Sequence, residues 1–269
     1  MMVERHIKIA VGAVLLACAV LCGSSCTVKE DRTPCPSYLR LTFADREFLM
    51  ERGEPVTASL WTSAERYRDA IDTSQMEPYW ERAVVKDEYL LSCYTGLENA
   101  VASGRTLVLK DGNQMDSLYA FHQEVDCTGE LAEAEVTLHK QFATVFVDLM
   151  KGADQMKMFT FTVQGFWNGF DMADFSPVGG PFWCKPEAAS RLVSFRIPRQ
   201  GDDSLLLDIT FQGERIGQFP LGSYIKRTGY NWKSEDLQDI YIMIDIMLGQ
   251  ILVSVDGWES GEWFRFIEQ

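Results

Sequence analysis

The sequence has little histidine, a deficit of basic charge, and no long apolar run beyond its first two dozen residues. Three His occur among 269 residues, one of them His6. A Ser–His–Asp or Cys–His device would therefore have to be built on His122 or His139. Each lies in or beside an alternating, strand-like segment, which favours a structural or solvent-facing role. Lys and Arg number 25 against 39 Asp and Glu, for a net charge of −14. A phosphate backbone requires clustered basic side chains, so nucleic acid is excluded as a partner. Charge alone would not hold such a chain on anionic lipid either. Neither a GxGxxG fingerprint nor a GxxxxGK(S/T) loop is present, which removes motif support for a bound nucleotide. No cofactor and no metal are expected.

What is present is an ordinary globular balance, with 46% hydrophobic and 24% charged residues. That is enough for two modest cores of roughly 100–130 residues each. The amino end begins with weakly basic Arg5, His6 and Lys8, followed by the apolar run Ile9–Leu21 and the small residues Gly23, Ser24 and Ser25 before Cys26. The run is short for a permanent membrane span and reads as a secretory signal. A cysteine directly after small residues is what bacterial lipoprotein processing uses, so residues 1–25 are expected to be removed and Cys26 lipidated. Cys18, preceded by Leu15, Leu16 and Ala17, is the rival site, and Cys22, preceded by bulky Leu21, is the weaker one. Residues 26–32 then form a tether. Its Lys29-Glu30-Asp31 resembles the surface-export signal of lipoproteins in Bacteroides-like bacteria. Acyl chains would anchor the protein at the outer membrane without a transmembrane helix. Cys35, Cys93, Cys127 and Cys184 remain, too scattered for a zinc knuckle. Two disulfides in any of three pairings, or four thiols, are both open.

From Tyr38 onward, period-two alternation dominates. Leu39, Leu41 and Phe43 share one face. So do Ala143, Val145, Val147 and Leu149 in a strand over about 141–150, and Phe159, Phe161 and Val163 in the next. Leu205, Leu207, Ile209 and Phe211 follow, then Ile240, Ile242, Ile244 and Ile246, and then Ile251, Val253 and Val255. Ile251–Val255 and Trp263–Ile267 are expected strands near the carboxyl end. Turns are expected at Asp111-Gly112-Asn113, Gly179-Gly180-Pro181, Gln200-Gly201-Asp202 and Asp256-Gly257. Short helical pieces are expected at Ser63–Ile71 and at Ser234–Gln238, the latter capped by Ser234. This is the pattern of an all-β protein made of β-sandwiches. The acidic stretch Thr128–Glu135 is the best break, giving an N-terminal domain at 33–134 and a C-terminal domain at 135–269. No repeat with a fixed period is visible.

The most aromatic segment is 166–175, expected as a loop. Trp167, Phe170 and Phe175 in it are candidates for ligand or partner contact, either by stacking on a sugar ring or by filling a partner's groove. The competing reading tucks them inward over the sandwich. Asp171 and Asp174 are the carboxylates a glycosidase would need, but their positions do not set a separation, and they lack the oxygen-ligand spacing of a calcium loop.

Taken in order, these segments resemble a known family. The opening from Cys26 through Cys35-Pro36 into Tyr38–Phe43 resembles the mature start of fimbrillin-associated anchor proteins. Those are minor subunits of the type V fimbriae of Bacteroides and Porphyromonas relatives. In the carboxyl third, Leu221–Ile225, Thr228–Trp232, Leu237–Ile242 and Val255–Trp258 follow at similar spacing, and His139–Ala143 resembles the start of a family strand. The resemblance implies two tandem transthyretin-like antiparallel β-sandwiches behind a lipoprotein signal peptide. It further implies a non-enzymatic anchor or accessory subunit, joined to other fimbrial subunits by strand addition, with a host or bacterial surface receptor as a further partner. A surface glycan-binding lipoprotein using the aromatic segment is the alternative, and a secreted hydrolase the third reading.

Overall fold

The structure is a computed structural model and describes residues 32, 34–74, 76–149, 158–187, 192–245, 250–255 and 264–267. Met1–Pro36 and Ser37–Gln269 are separate compact units. In the first, the Cys35 N–H donates to the Arg32 carbonyl at 3.0 Å, closing a turn. The signal sequence and Cys26 lie outside the described residues.

The second unit opens with β1 (Ser37–Phe43), whose residues alternate between buried and solvent-facing, with Leu39 and Leu41 fully enclosed. Helix α1 (Arg46–Arg52) follows and stops at Gly53, whose φ of 65° lets its N–H reach the Leu49 carbonyl. The first half continues with β2 (Val56–Trp61), β3 (Glu65–Ile71), β4 (Trp80–Val84) and β5 (Glu88–Thr95). Then come β6 (Ala100–Ser103), β7 (Thr106–Leu109), β8 (Tyr119–Asp126), β9 (Leu131–Val136) and the two-residue β10 (His139–Lys140). The second half holds β11 (Phe142–Leu149), β12 (Phe159–Asp171), β13 (Pro177–Cys184), β14 (Leu192–Pro198), β15 (Leu206–Phe211) and β16 (Glu214–Phe219). Helix α2 (Leu221–Arg227), β17 (Ile240–Asp245), β18 (Gln250–Val255) and β19 (Phe264–Ile267) complete it.

Two pairs of sheets result. The order β4-β1-β9 faces β10-β8-β5-β2-β3, and they share a core containing Leu39, Leu41, Leu60, Leu91, Val125 and Val136. The order β14-β11-β17-β18-β19 faces β16-β15-β12-β7-β6 around a second core that includes Val145, Val147, Phe161, Phe195, Ile209 and Ile242. Each large apolar side chain fully enclosed in these layers contributes about 1.5–3 kcal/mol. Two pairings are parallel, β1 with β9 and β11 with β17, so the sheets are not purely antiparallel as expected. Parallel neighbours need a long crossover, and here the intervening chain builds the facing sheet.

The hairpin β6–β7 lies between β5 and β8 in sequence but joins the second sheet pair through β7 and β12. Gly169, opposite Val108, makes that approach possible, since a Cβ there would sit 2.0 Å from the Leu107 carbonyl oxygen. The acidic stretch 128–135 contains most of β9, a strand hydrogen-bonded to β1.

Several local expectations are corrected. Ser63–Ile71 is no helix; Glu65–Ile71 is β3, paired with β2 from Ile71 opposite Val56. Arg66 and Arg68 face outward along this edge strand, which blunts the edge against unwanted pairing, while Asp69 on the other face pairs with Arg82. Gly179-Gly180-Pro181 is not a turn; it lies inside β13, which tracks β12 through register shifts that absorb the glycines. Ser234–Gln238 has no helical turn either: the Glu235 carbonyl accepts from Arg199, the Gln238 carbonyl accepts from the Tyr230 hydroxyl, and the Leu237 N–H donates to the Lys140 carbonyl. The alternating faces of β1, β11, β12, β15, β17 and β18 stand as expected. Ile246 and Asp256-Gly257 lie outside the described residues.

Candidate functional site

A cleft of about 700 Å³ opens between the two sheet pairs. Four pieces of chain converge on it: His122 of β8, the turn after β12, residues 199–201 after β14, and the loop before β17.

The turn is built by short-range hydrogen bonds. The Phe175 N–H donates to the Asp171 carbonyl (2.9 Å), the Ala173 N–H to Asp171 Oδ1 (2.8 Å), and the Ser176 N–H to Asp174 Oδ1 (2.8 Å). Such Asx turns are the favoured local conformation of aspartate. They drive Phe175 into the left-handed region, with φ of 57°, uncommon for a bulky residue. The ring is then pinned on three sides. It meets His122 edge-on (4.6 Å, 88°) and Phe170 edge-on (5.8 Å, 84°), and the Arg199 guanidinium lies 5.7 Å from its centroid.

Arg199 organises the opposite wall. It is 2% exposed. Its Nε donates to Gln141 Oε1 (2.8 Å), and its two terminal nitrogens donate to the carbonyls of Trp232 (2.6 Å) and Glu235 (2.8 Å). A buried guanidinium held this way is satisfied, although burial still lowers its pKa from the usual value. The Tyr230 hydroxyl donates to the Gln238 carbonyl (2.7 Å), and the Tyr230 and Trp232 rings pack 4.5 Å apart. Lys140 and His139 fasten the far end through Asp236 and Asp239.

Asp174 and His122 at the cleft both have lowered pKa values, for different reasons. Hydrogen bonds from Ser176 hold the Asp174 carboxyl below its ordinary range. Burial lowers the His122 pKa, partly offset by the charges of Asp174 and Asp171. A general acid at neutral pH needs a raised carboxyl pKa, and Asp174 is shifted the other way. Asp171 is engaged by Arg105 at 3.5 Å. Among the described residues, no group of three or more His, Cys, Asp or Glu is placed to hold a metal ion.

The three aromatic candidates separate. Residues 166–171 are strand rather than loop. Phe170 is wholly buried in the second core, because the strand's inward face claims it. Trp167 is half-buried, with its ring against Gly201. Phe175 alone reaches the cleft. Trp232 and Arg199 were missed as site residues, and no local pattern marks either, since the wall exists only when loops 33 residues apart meet. Phe166, one residue from the expected set, is the exposed aromatic of the strand at 55%.

The four cysteines are free thiols, so the two disulfides that their number allows are not made. Cys35 is exposed, while Cys93, Cys127 and Cys184 are buried. Burial pushes their pKa values up, to about 11 for Cys127 and about 12 for Cys184, with Cys93 shifted in the same direction. Such thiols behave as small apolar side chains. No helix among the described residues is long and apolar enough to cross a membrane.

No protein-family model matches the sequence, and no curated protein does. Solved structures do. A Bacteroides thetaiotaomicron protein described as polysaccharide-binding superposes with a TM-score of 0.62 at 14% identity, over 87% of this chain and 98% of that one. The fimbrial anchor protein Mfa2 from Porphyromonas gingivalis gives 0.59 at 10% identity, over 83% and 98%. A Bacteroides ovatus protein described as an adhesin gives 0.58 at 12%, over 87% and 96%. The chain has the fold of these three proteins. That fold agrees with the type V fimbrial resemblance of the opening segment and the carboxyl third. At such identities the likeness speaks for the fold, on which different activities can be mounted.

Proposed function

We propose that this chain is a non-enzymatic anchor or accessory subunit of a type V fimbria, built from two tandem transthyretin-like domains and acting in cell adhesion. Its acylated Cys26 holds it at the outer membrane, facing outward, and neighbouring subunits join it by strand addition. The observation that carries the reading is the fold shared with the Porphyromonas gingivalis anchor over nearly all of that protein. The lipoprotein-like sequence ending at Cys26 and the export-like Lys29-Glu30-Asp31 support it. Strand addition suits an all-β subunit, because an edge offers a ready row of N–H and C=O groups, and alternate side chains select the partner. The cleft's Asp174 carboxyl, held below its ordinary range by Ser176, fits a binding protein better than a hydrolase.

Replacing Cys26 with alanine is expected to release the protein, with attached fibres, from outer membranes into the medium. Retention of the Cys26→Ala protein in washed membranes would refute the anchor role, and mass spectrometry of the mature amino terminus distinguishes Cys26 from Cys18. A second reading, surface glycan binding, is favoured by one observation: the cleft between the sheet pairs is lined by aromatic and amide side chains.

A further inference from the structure

We infer that the cleft between His122, Phe175 and Trp232 is a binding site for a short, uncharged oligosaccharide. The inference rests on the second reading above and gives it a location and a ligand class. The cleft's size falls within the 300–1,000 Å³ typical of ligand pockets. Its walls are more apolar than polar, with Phe175 and Trp232 supplying aromatic surface and Asn231, Ser176 and Gln200 supplying the polar minority. A pyranose ring has the matching chemistry, with C–H faces for the aromatics and hydroxyls that both donate and accept. Asn231 spends its Oδ1 on the Lys233 N–H (3.0 Å), which leaves its NH2 group as a donor. Gln200, 2% exposed, uses its NH2 group on the Pro198 carbonyl (2.9 Å), while its Oε1 accepts nothing among the described residues. That oxygen is enclosed beside Gly165 and Leu205, so Gln200 shapes the wall while the Asn231 NH2 group is the donor offered to a ligand hydroxyl.

Charge decides against the other ligand classes. Lys233 and Arg199 are balanced at the cleft by Asp174 and Glu235. Each Arg199 nitrogen already donates to a protein acceptor, so the guanidinium is not reserved for an anion. The chain as a whole carries −14 charges and repels acidic polymers at long range. A purely apolar ligand would leave the Asn231 NH2 group unmatched. The walls are preorganised, since Phe175 is pinned on three sides and the Trp232 backbone is held by Arg199. Such a site loses little entropy on binding.

The test is affinity electrophoresis of the full-length secreted protein in native gels containing dextran, xylan, soluble starch or gastric mucin glycans. Trp232→Ala and Asn231→Ala are run beside the parent, with circular dichroism to verify folding. Arg199 holds the Trp232 main-chain carbonyl, so removing the indole leaves the loop anchored. Trp183→Ala is the control, because Trp183 is an exposed aromatic (41%) on β13, away from the cleft lining. Retardation of the parent by a neutral glycan, weakened about tenfold or more by Trp232→Ala and unchanged by Trp183→Ala, is the expected result. Retardation lost in Trp183→Ala but kept in folded Trp232→Ala and Asn231→Ala would overturn the site while leaving the glycan reading intact. Retardation by the sialylated mucin fraction alone would overturn the uncharged class. No retardation of the parent in any gel would overturn both the site and the glycan reading.

Discussion

The first sheet pair ends its small sheet at β9, whereas the second carries the equivalent sheet past β17 into β18 and β19. The two are otherwise laid out alike. In each, an opening strand (β1 or β11) pairs antiparallel with one neighbour (β4 or β14) and parallel with a later one (β9 or β17). The difference teaches where cooperativity comes from. The second pair draws β6–β7 out of the first half of the chain and receives the extra carboxyl strands, so its core gathers residues from Trp61 to Val253. The first core closes on residues 39–138 alone. The cleft sits where the two meet, with one wall from β8 and three from the second half.

Phe161→Ala, at the fully buried centre of the second core, should have the largest effect, a loss of about 3–5 kcal/mol. Because β6–β7 ties both halves, calorimetry should show one transition moving down as a whole. Two transitions, with only one displaced, would show that the two cores unfold independently.

Asp116→Ala should follow. This carboxylate is fully buried after β7 and accepts hydrogen bonds from the N–H groups of Glu98, Asn99 and Ala100 and from the Asn99 amide, at 2.8–2.9 Å. It orders the entry to the borrowed hairpin. Its loss should cost about 2–3 kcal/mol through orphaned donors, read as a lower urea midpoint. Protection of β6–β7 amides from hydrogen exchange should fall before that of β1. Equal loss of protection in both would mean that Asp116 does not act on the hairpin locally.

The smallest expected effect is a pH dependence at the junction. Burial favours neutral His122 in the folded state, so its folded pKa lies below the unfolded value of about 6.5. Its contribution is fully present above that value and is lost as pH falls through it toward the folded value. The parent should therefore lose more thermal stability between pH 7 and pH 5 than His122→Gln does. A reversed ordering would show that attraction to Asp174 and Asp171 outweighs burial.

Strands were legible where one face is buried, because alternation is written into neighbouring residues. Ala143, Val145, Val147 and Leu149 all point inward, as their spacing requires. Legibility failed where the signal was not local. Glu65–Ile71 carries charges at helix-compatible spacing, yet its ladder with β2 makes it a strand. Helix α2 was visible only as a motif of unassigned conformation. Of the three aromatic site candidates, only Phe175 reaches the cleft, because the strand's pleat sends Phe170 into the core.

Composition, charge and period-two patterning by themselves determined that this is an acidic all-β chain with little scope for imidazole or phosphate chemistry. They also determined which side chains face inward, since both properties reside in adjacent residues. Tertiary structure alone decided that β9 lies parallel to β1, that β7 belongs with β12, and that Arg199 carries the wall of a cleft. Backbone N–H and C=O groups are the same in every strand, so the choice of partner rests on how whole layers pack.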